Sequence, residues 1–242
     1  MNFYVGCHQP SDAQHFERAF ISIKRIEDRR SRFAVKHWVM DSGAFSEISD
    51  HGCFLRTVDQ YAAQARRWIG NGHLDAVVAQ DYMCEPFIVA KTGLDVPTHQ
   101  RLTIERYDEL LAHGLPVHVM PVLQGFRAGE YLDHLDAYGE RLTPGMWVGV
   151  GSVCKRQGKP ANVVAVLGAI KRQRPDLRLH GFGVKSTSLA HPGVRHLLHS
   201  ADSMAWSYAA RKQGRNGNDW REAEAFRRHI DRTVTEQEML PL

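Results

Sequence analysis

VMDSGAF, residues 39–45, is the stretch from which the fold can be read. Val39 and Met40 continue the short apolar run that begins at His37, Asp41 ends it, and Gly43 marks a turn just beyond. The same form recurs along the chain. SADSMAW (200–206) carries Asp202, AVVAQDYMCEP (76–86) carries Asp81, VHVMPVLQGF (117–126) carries Gln124, and WVGVGS (147–152) ends on Gly149 and Gly151. When buried strands alternate with helices and each strand delivers a polar group or glycine at its carboxyl end, one active site assembled from many strand tips is expected.

Outward from these tips, strands are expected at Phe3–Cys7, His37–Met40, Asp75–Ala79, Val117–Leu123, Met146–Val150, Leu177–Val184 and Ala201–Trp206, with an eighth at Phe20–Ile23. Helical spacing of apolar residues falls between them, at Val58–Gly70, Thr98–His113, Glu130–Tyr138, Ala161–Gln173, Gly193–His199 and Trp220–Val234. Parallel strands need such crossovers. The expected fold is therefore α/β, a (β/α)8 TIM-type barrel, irregular near its start, with an open doubly wound sheet as the alternative. The 242 residues suit one barrel domain of about 250 residues over 1–242.

Composition narrows the class. A hydrophobic content of 43% with 24% charged residues is that of a globular enzyme, and a net charge of +4 says little about partners. Cys7, Cys53, Cys84 and Cys154 are scattered without CxxC spacing, so reduced thiols are expected rather than a zinc site or cluster. No apolar run approaches the ~18 residues of a membrane span, and the N-terminus lacks the form of a signal peptide. A cytoplasmic protein with no membrane contact is expected.

Two carboxylates facing one pocket are the usual equipment for breaking a glycosidic bond, one at the anomeric carbon and one handling the leaving group's proton. Asp41 and Asp202 are the candidates; the competing role for each is to cap a turn or hold a loop. Asp81 and Gln124 can read the edge of a planar heterocycle, since a carboxylate accepts while a carboxamide donates and accepts. Guanine matches that pair, and a structural hydrogen-bond network at the barrel mouth is the alternative. The glycines of WVGVGS and HGFGV (180–184) allow close backbone approach.

Nucleotide-cofactor signatures are absent: GVGSVCKRQG lacks the third glycine of a dinucleotide turn, and GFGVKSTS lacks the order of a P-loop. There is no GxSxG elbow or HExxH. No cofactor and no metal ligand set is expected. Basic residues gather at Lys24, Arg25, Arg29, Arg30 and Arg32, at Lys155 and Arg156, and at Arg211, Lys212, Arg215, Arg221, Arg227 and Arg228. Loops beside a catalytic mouth are where phosphate contacts would be useful, and a solvated helix face explains Arg227 and Arg228 equally well.

Through DSGAF, QDYMCEP, VLQGF, VGVGS, HGFGV and ADSMAWS, in that order over roughly residues 38–217, the chain resembles the tRNA-guanine transglycosylase superfamily. More narrowly it is similar to the DpdA-like branch that places 7-deazaguanine bases in DNA. The resemblance implies a barrel enzyme that exchanges guanine for a preQ0-like 7-deazaguanine through a covalent sugar–enzyme intermediate. It implies Asp202 as nucleophile and Asp41 as general acid/base. Asp81 and Gln124 would grip the base edge, Gly151 would offer backbone contact, and Phe45 and His180 would sandwich the base. Arg211 and Arg215 would lie near bound nucleic acid; apart from the resemblance, Lys185 in GFGVKSTS is a further candidate for phosphate, with a solvated loop lysine as the alternative.

Two departures from the family pattern matter, one for substrate and one for the nucleophile. The CxCxxC…H zinc subdomain that helps the tRNA enzymes hold an anticodon arm is absent, which favours DNA over tRNA. Their nucleophile also falls a few residues later, where this chain has Ala205 and Trp206, so either Asp202 has taken over from one turn upstream or exchange chemistry is lost. Hydrolysis of a modified base by an N-glycosylase, and a non-catalytic base- or nucleic-acid-binding module, are the alternative functions. A helper protein is a further possible partner.

Overall fold

The computed structural model describes residues 1–153 and 159–238, with side chains to 232; Cys154, Lys155 and Arg156 lie outside the described residues. Nine strands form one sheet in which every pairing is parallel. They are β1 (Asn2–Gly6), β2 (Arg18–Ser22), β3 (His37–Asp41), β4 (His73–Val78), β5 (His118–Met120), β6 (Val122–Leu123), β7 (Trp147–Val150), β8 (Arg178–Gly181) and β9 (Ser200–Ser203). The order is β5-β4-β3-β2-β1-β9-β8-β7-β6.

The two ends of that order are consecutive in the chain. Pro121 has no N–H for a ladder, so it splits one strand into β5, which pairs with β4, and β6, which pairs with β7. The Met120 carbonyl accepts from Ala79 N–H at 3.0 Å and the Pro121 carbonyl from Gly149 N–H at 2.8 Å, so the interrupted strand joins both sides. The ring is a TIM-like barrel.

The α-helices among the described residues are α1 (Ala44–His51), α2 (Val58–Trp68), α3 (Pro86–Thr92), α4 (Val96–Ala112), α5 (Ala128–Tyr138), α6 (Pro160–Gln173), α7 (Ser186–Leu189), α8 (Pro192–Leu197), α9 (Ala205–Lys212) and α10 (Trp220–Glu238). The expected irregularity at the start is present. Only 3-10 turns, Pro10–His15 and Ile23–Arg25, follow β1 and β2. The C-terminal helix α10 packs there instead, with Trp220 stacked on His15 at 3.9 Å and Phe226 against Phe3. Among the described residues no helix is long and apolar enough to cross a membrane.

Period-two alternation sorts each strand into two layers. Outward residues such as Trp38, Met40, Val77, Val148, Leu179 and Ala201 pack under the helices, while Tyr4, Phe20, Val39, Ala76, Val78, Met120, Val122 and Trp147 fill the barrel. Asp41 is two residues past Val39, and Asp202 two past Ser200, so both belong to the inward set. Two sequence expectations are corrected. The last strand ends at Ser203 rather than Trp206, because Trp206 belongs to α9, where its indole is buried and donates to the Gly6 carbonyl at 3.0 Å. The short helices α1, α3, α7 and α9, which carry too few turns for a periodic signal, were not expected.

Candidate active site

The carboxyl ends of the strands open on a cavity of about 700 Å³. Asp41, Asp81, Asp202, Gln124, Gly151, Phe45 and Gly183 of HGFGV all line it, alongside residues that sequence reasoning had not singled out: His8, Phe20, Ser22, Ser152 and Phe182. Ser22 was within reach of the strand-tip rule, since it closes β2 on the same rung as Asp41.

Asp41 sits where β3 turns into α1. Gly43 takes φ 75°, a left-handed conformation that costs glycine little, and its N–H donates to Asp41 Oδ2 at 3.0 Å. Burial pushes the Asp41 carboxyl up to about 6 against the opposing hydrogen bonds of Gly43 and Ser22, and the charge of Asp202 adds to the rise. The two aspartates therefore share one cavity and feel one another.

Asp202 is held from below. Gly183 N–H donates to its Oδ1 at 3.0 Å, and His180 Nε2 lies 3.3 Å from the same oxygen. Trp147 Nε1–H, which can only donate, reaches Ser200 Oγ at 2.7 Å; that hydroxyl lies 2.9 Å from His180 Nδ1. The network assigns the serine O–H to Nδ1 and leaves Nε2–H for Asp202. His180 is fully buried and stacks on Phe20 at 5.6 Å. It was expected to flank a base; in the structure it lies one layer beneath the cavity, and Phe182, two residues further along the same face, reaches the wall.

Across the cavity Gln124 Nε2 donates to Asp81 Oδ2, and Gln124 Oε1 accepts from Ser152 Oγ at 2.8 Å. The glutamine backbone is anchored as well: its carbonyl accepts from Gln100 Nε2 at 2.7 Å and its N–H donates to His134 Nδ1 at 2.9 Å. Gly151 is required by close approach, since a Cβ there would overlap the Gln124 carboxamide; at Gly149 it would overlap the Phe182 ring. The glycines expected to admit a ligand thus first admit neighbouring side chains.

Burial raises the Asp81 carboxyl to about 7, against the Gln124 hydrogen bond and helped by the charges of Asp41 and Glu85. A carboxyl with a raised folded pKa contributes stability that is complete at low pH and is lost as pH rises through the folded value. The loss begins near the unfolded value of 3.8 and is complete above about 7, so Asp81→Asn should raise stability by about 1–3 kcal/mol more at pH 8 than at pH 3.5, with an intermediate gain at pH 5. Urea melts at pH 3.5 and pH 8 check this, and an equal effect at both would refute the raised value.

The basic residues divide by position. Lys24 and Arg25, carried by the 3-10 turn after β2, line the cavity mouth, and Arg25 Nη2 lies 3.3 Å from His8 Nδ1. Lys185, Arg211 and Arg215 are exposed and outside the cavity wall, and Arg215 pairs with Glu222 at 3.1 Å. Arg227 and Arg228 both pair with Glu224, the solvated helix face allowed for above. The three described cysteines are free, and no described cysteine belongs to a cluster that could hold a metal.

A family model with the description "DpdA: DeoxyPurine in DNA protein A" matches residues 1–222. No curated protein matches the chain.

Proposed function

The chain belongs to the family DpdA, DeoxyPurine in DNA protein A, and from that premise we propose that it exchanges guanine in DNA for a 7-deazaguanine base. The observation that carries this reading is the meeting of Asp41, Asp202, Asp81 and Gln124 in one cavity at the strand ends. A target nucleotide leaves its stack and enters the mouth, where Lys24 and Arg25 meet phosphate. Asp81 accepts from guanine N–H donors beside Gln124, and Phe45, Phe20 and Phe182 supply aromatic wall.

An Asp202 oxygen forms a bond to C1′ as the C1′–N9 bond breaks and its electron pair leaves with guanine. Both of its described side-chain hydrogen bonds fall on Oδ1, which leaves Oδ2 for attack. Asp41 gives a proton to the departing guanine. It then takes the N9 proton of the incoming base as that nitrogen bonds C1′ and the Asp202–C1′ bond breaks. Two displacements retain the configuration. A carboxyl raised to about 6 suits a group that both gives and takes a proton near neutral pH.

The test is mass spectrometry of nucleosides from duplex and single-stranded DNA incubated with the protein, with and without a free preQ0-like base. Base-dependent incorporation supports exchange. Abasic sites without incorporation identify a glycosylase, and binding without either product identifies a non-catalytic module. The proposed exchange step carries its own pH signature: turnover falls as pH rises above about 6, where Asp41 loses its proton, while base affinity improves as Asp81 ionises through about 7. Separate pH profiles of kcat and KM check it, and parallel profiles would count against these roles.

A further inference from the structure

At the opposite end of the barrel, β3 and β4 begin with His37 and His73 directly across from one another, their rings 4.9 Å apart. The pairing then slips. His37 meets His73 and Trp38 meets Leu74, but Val39 meets Ala76, so Asp75 is the extra residue of a β-bulge. Regular alternation would put His73 and Asp75 inward and Ala76 outward. The bulge sends Ala76 and Val78 into the barrel filling while Asp75 keeps the face shared with the histidines.

Asp75 Oδ1 lies 3.0 Å from His37 Nδ1 and 3.4 Å from His73 Nε2, and the three candidate ligand atoms lie within 4.8 Å of one another. Ligand bonds of 2.0–2.2 Å at tetrahedral angles put neighbouring donors about 3.3–3.6 Å apart, close to the two Asp75–imidazole distances. The second carboxylate oxygen is fixed from outside, since the buried Tyr4 hydroxyl donates to Asp75 Oδ2 at 2.9 Å. A hydrogen-bonded carboxylate with one oxygen turned to two imidazoles is the outer support that metal sites carry. Arg18, cross-strand from His37, approaches the Tyr4 hydroxyl.

We propose that His37, His73 and Asp75 bind a divalent transition metal of the zinc class at the amino ends of β3 and β4. Two imidazoles and one carboxylate select such an ion over magnesium or calcium, and solvent completes the set because the His73 side chain is 71% exposed. Bound there, the ion ties β4 to the strand that follows the helix-poor start of the barrel. It lies at the other end from the base cavity and does not depend on the reading of that cavity.

The test uses tag-free, chelator-treated protein titrated with zinc chloride by calorimetry, with cobalt chloride as a spectroscopic probe. One zinc per chain at micromolar affinity or tighter, a visible cobalt absorption and a raised Tm are expected. His73→Ala, an exposed position that does not threaten folding, should weaken binding at least about tenfold, and Tyr4→Phe should do so by about 10- to 100-fold by releasing Asp75. No uptake, or uptake unchanged in His73→Ala, would mean that the cluster is a His–Asp–His hydrogen-bond bridge alone.

Discussion

Asp202→Asn should reduce base exchange by at least about three orders of magnitude and abolish any covalent DNA–protein adduct. The carboxamide keeps the shape and can still accept from Gly183 N–H and His180, so the fold and the cavity should persist. What is lost is the anionic oxygen that bonds C1′. Asp41→Asn should act differently, slowing both half-reactions by about 10²- to 10⁴-fold while an adduct remains trappable. Intact-mass spectrometry after denaturing quench of protein with a guanine-containing oligonucleotide separates the two. If the adduct survives in Asp202→Asn and disappears in Asp41→Asn, the two roles are reversed; if both variants exchange bases at the wild-type rate, neither is catalytic.

The second large effect is expected from a methyl group. In Gly151→Ala the new Cβ would overlap the Gln124 carboxamide, which cannot swing aside without breaking its bonds to Asp81 and Ser152. The backbone cannot yield easily either, being tied to Gln100 and His134. Loss of those buried hydrogen bonds should raise KM for the free base by about 10- to 100-fold, with a smaller change in kcat. Gly129→Ala is the control: its Cβ would point into open space at the start of α5, and it should be silent or slightly stabilising. An unchanged KM in Gly151→Ala would remove Gln124 from base recognition.

Asp202 and His180 show how far the primary structure could be taken. Strand tips are local signals. An apolar run with period two, ended by a carboxylate, carboxamide or glycine, announces both the strand and the group it delivers, so Asp41, Asp81, Gln124, Asp202 and the barrel itself were legible. Depth within the barrel is not local. His180 and Phe182 alternate correctly on one face, yet only the register of β8 against β7 and β9 decides that the first lies beneath Asp202 and the second at the wall. Trp206 continued an apolar run and read as strand; its burial against the Gly6 carbonyl from the first turn of α9 is a contact across 200 positions.

The amino-acid order therefore determined the parallel barrel and the identity of the groups at its mouth, because both follow from backbone periodicity and side-chain chemistry within a few residues. The tertiary structure alone decided how Pro121 splits one strand to join both sides of the ring, which neighbours fill the space above Gly149 and Gly151, that Lys24 and Arg25 stand at the cavity mouth, and that a bulge at Asp75 gathers two histidines. Each of these depends on the stagger of strands distant in the chain, a property of the closed sheet that no single segment contains.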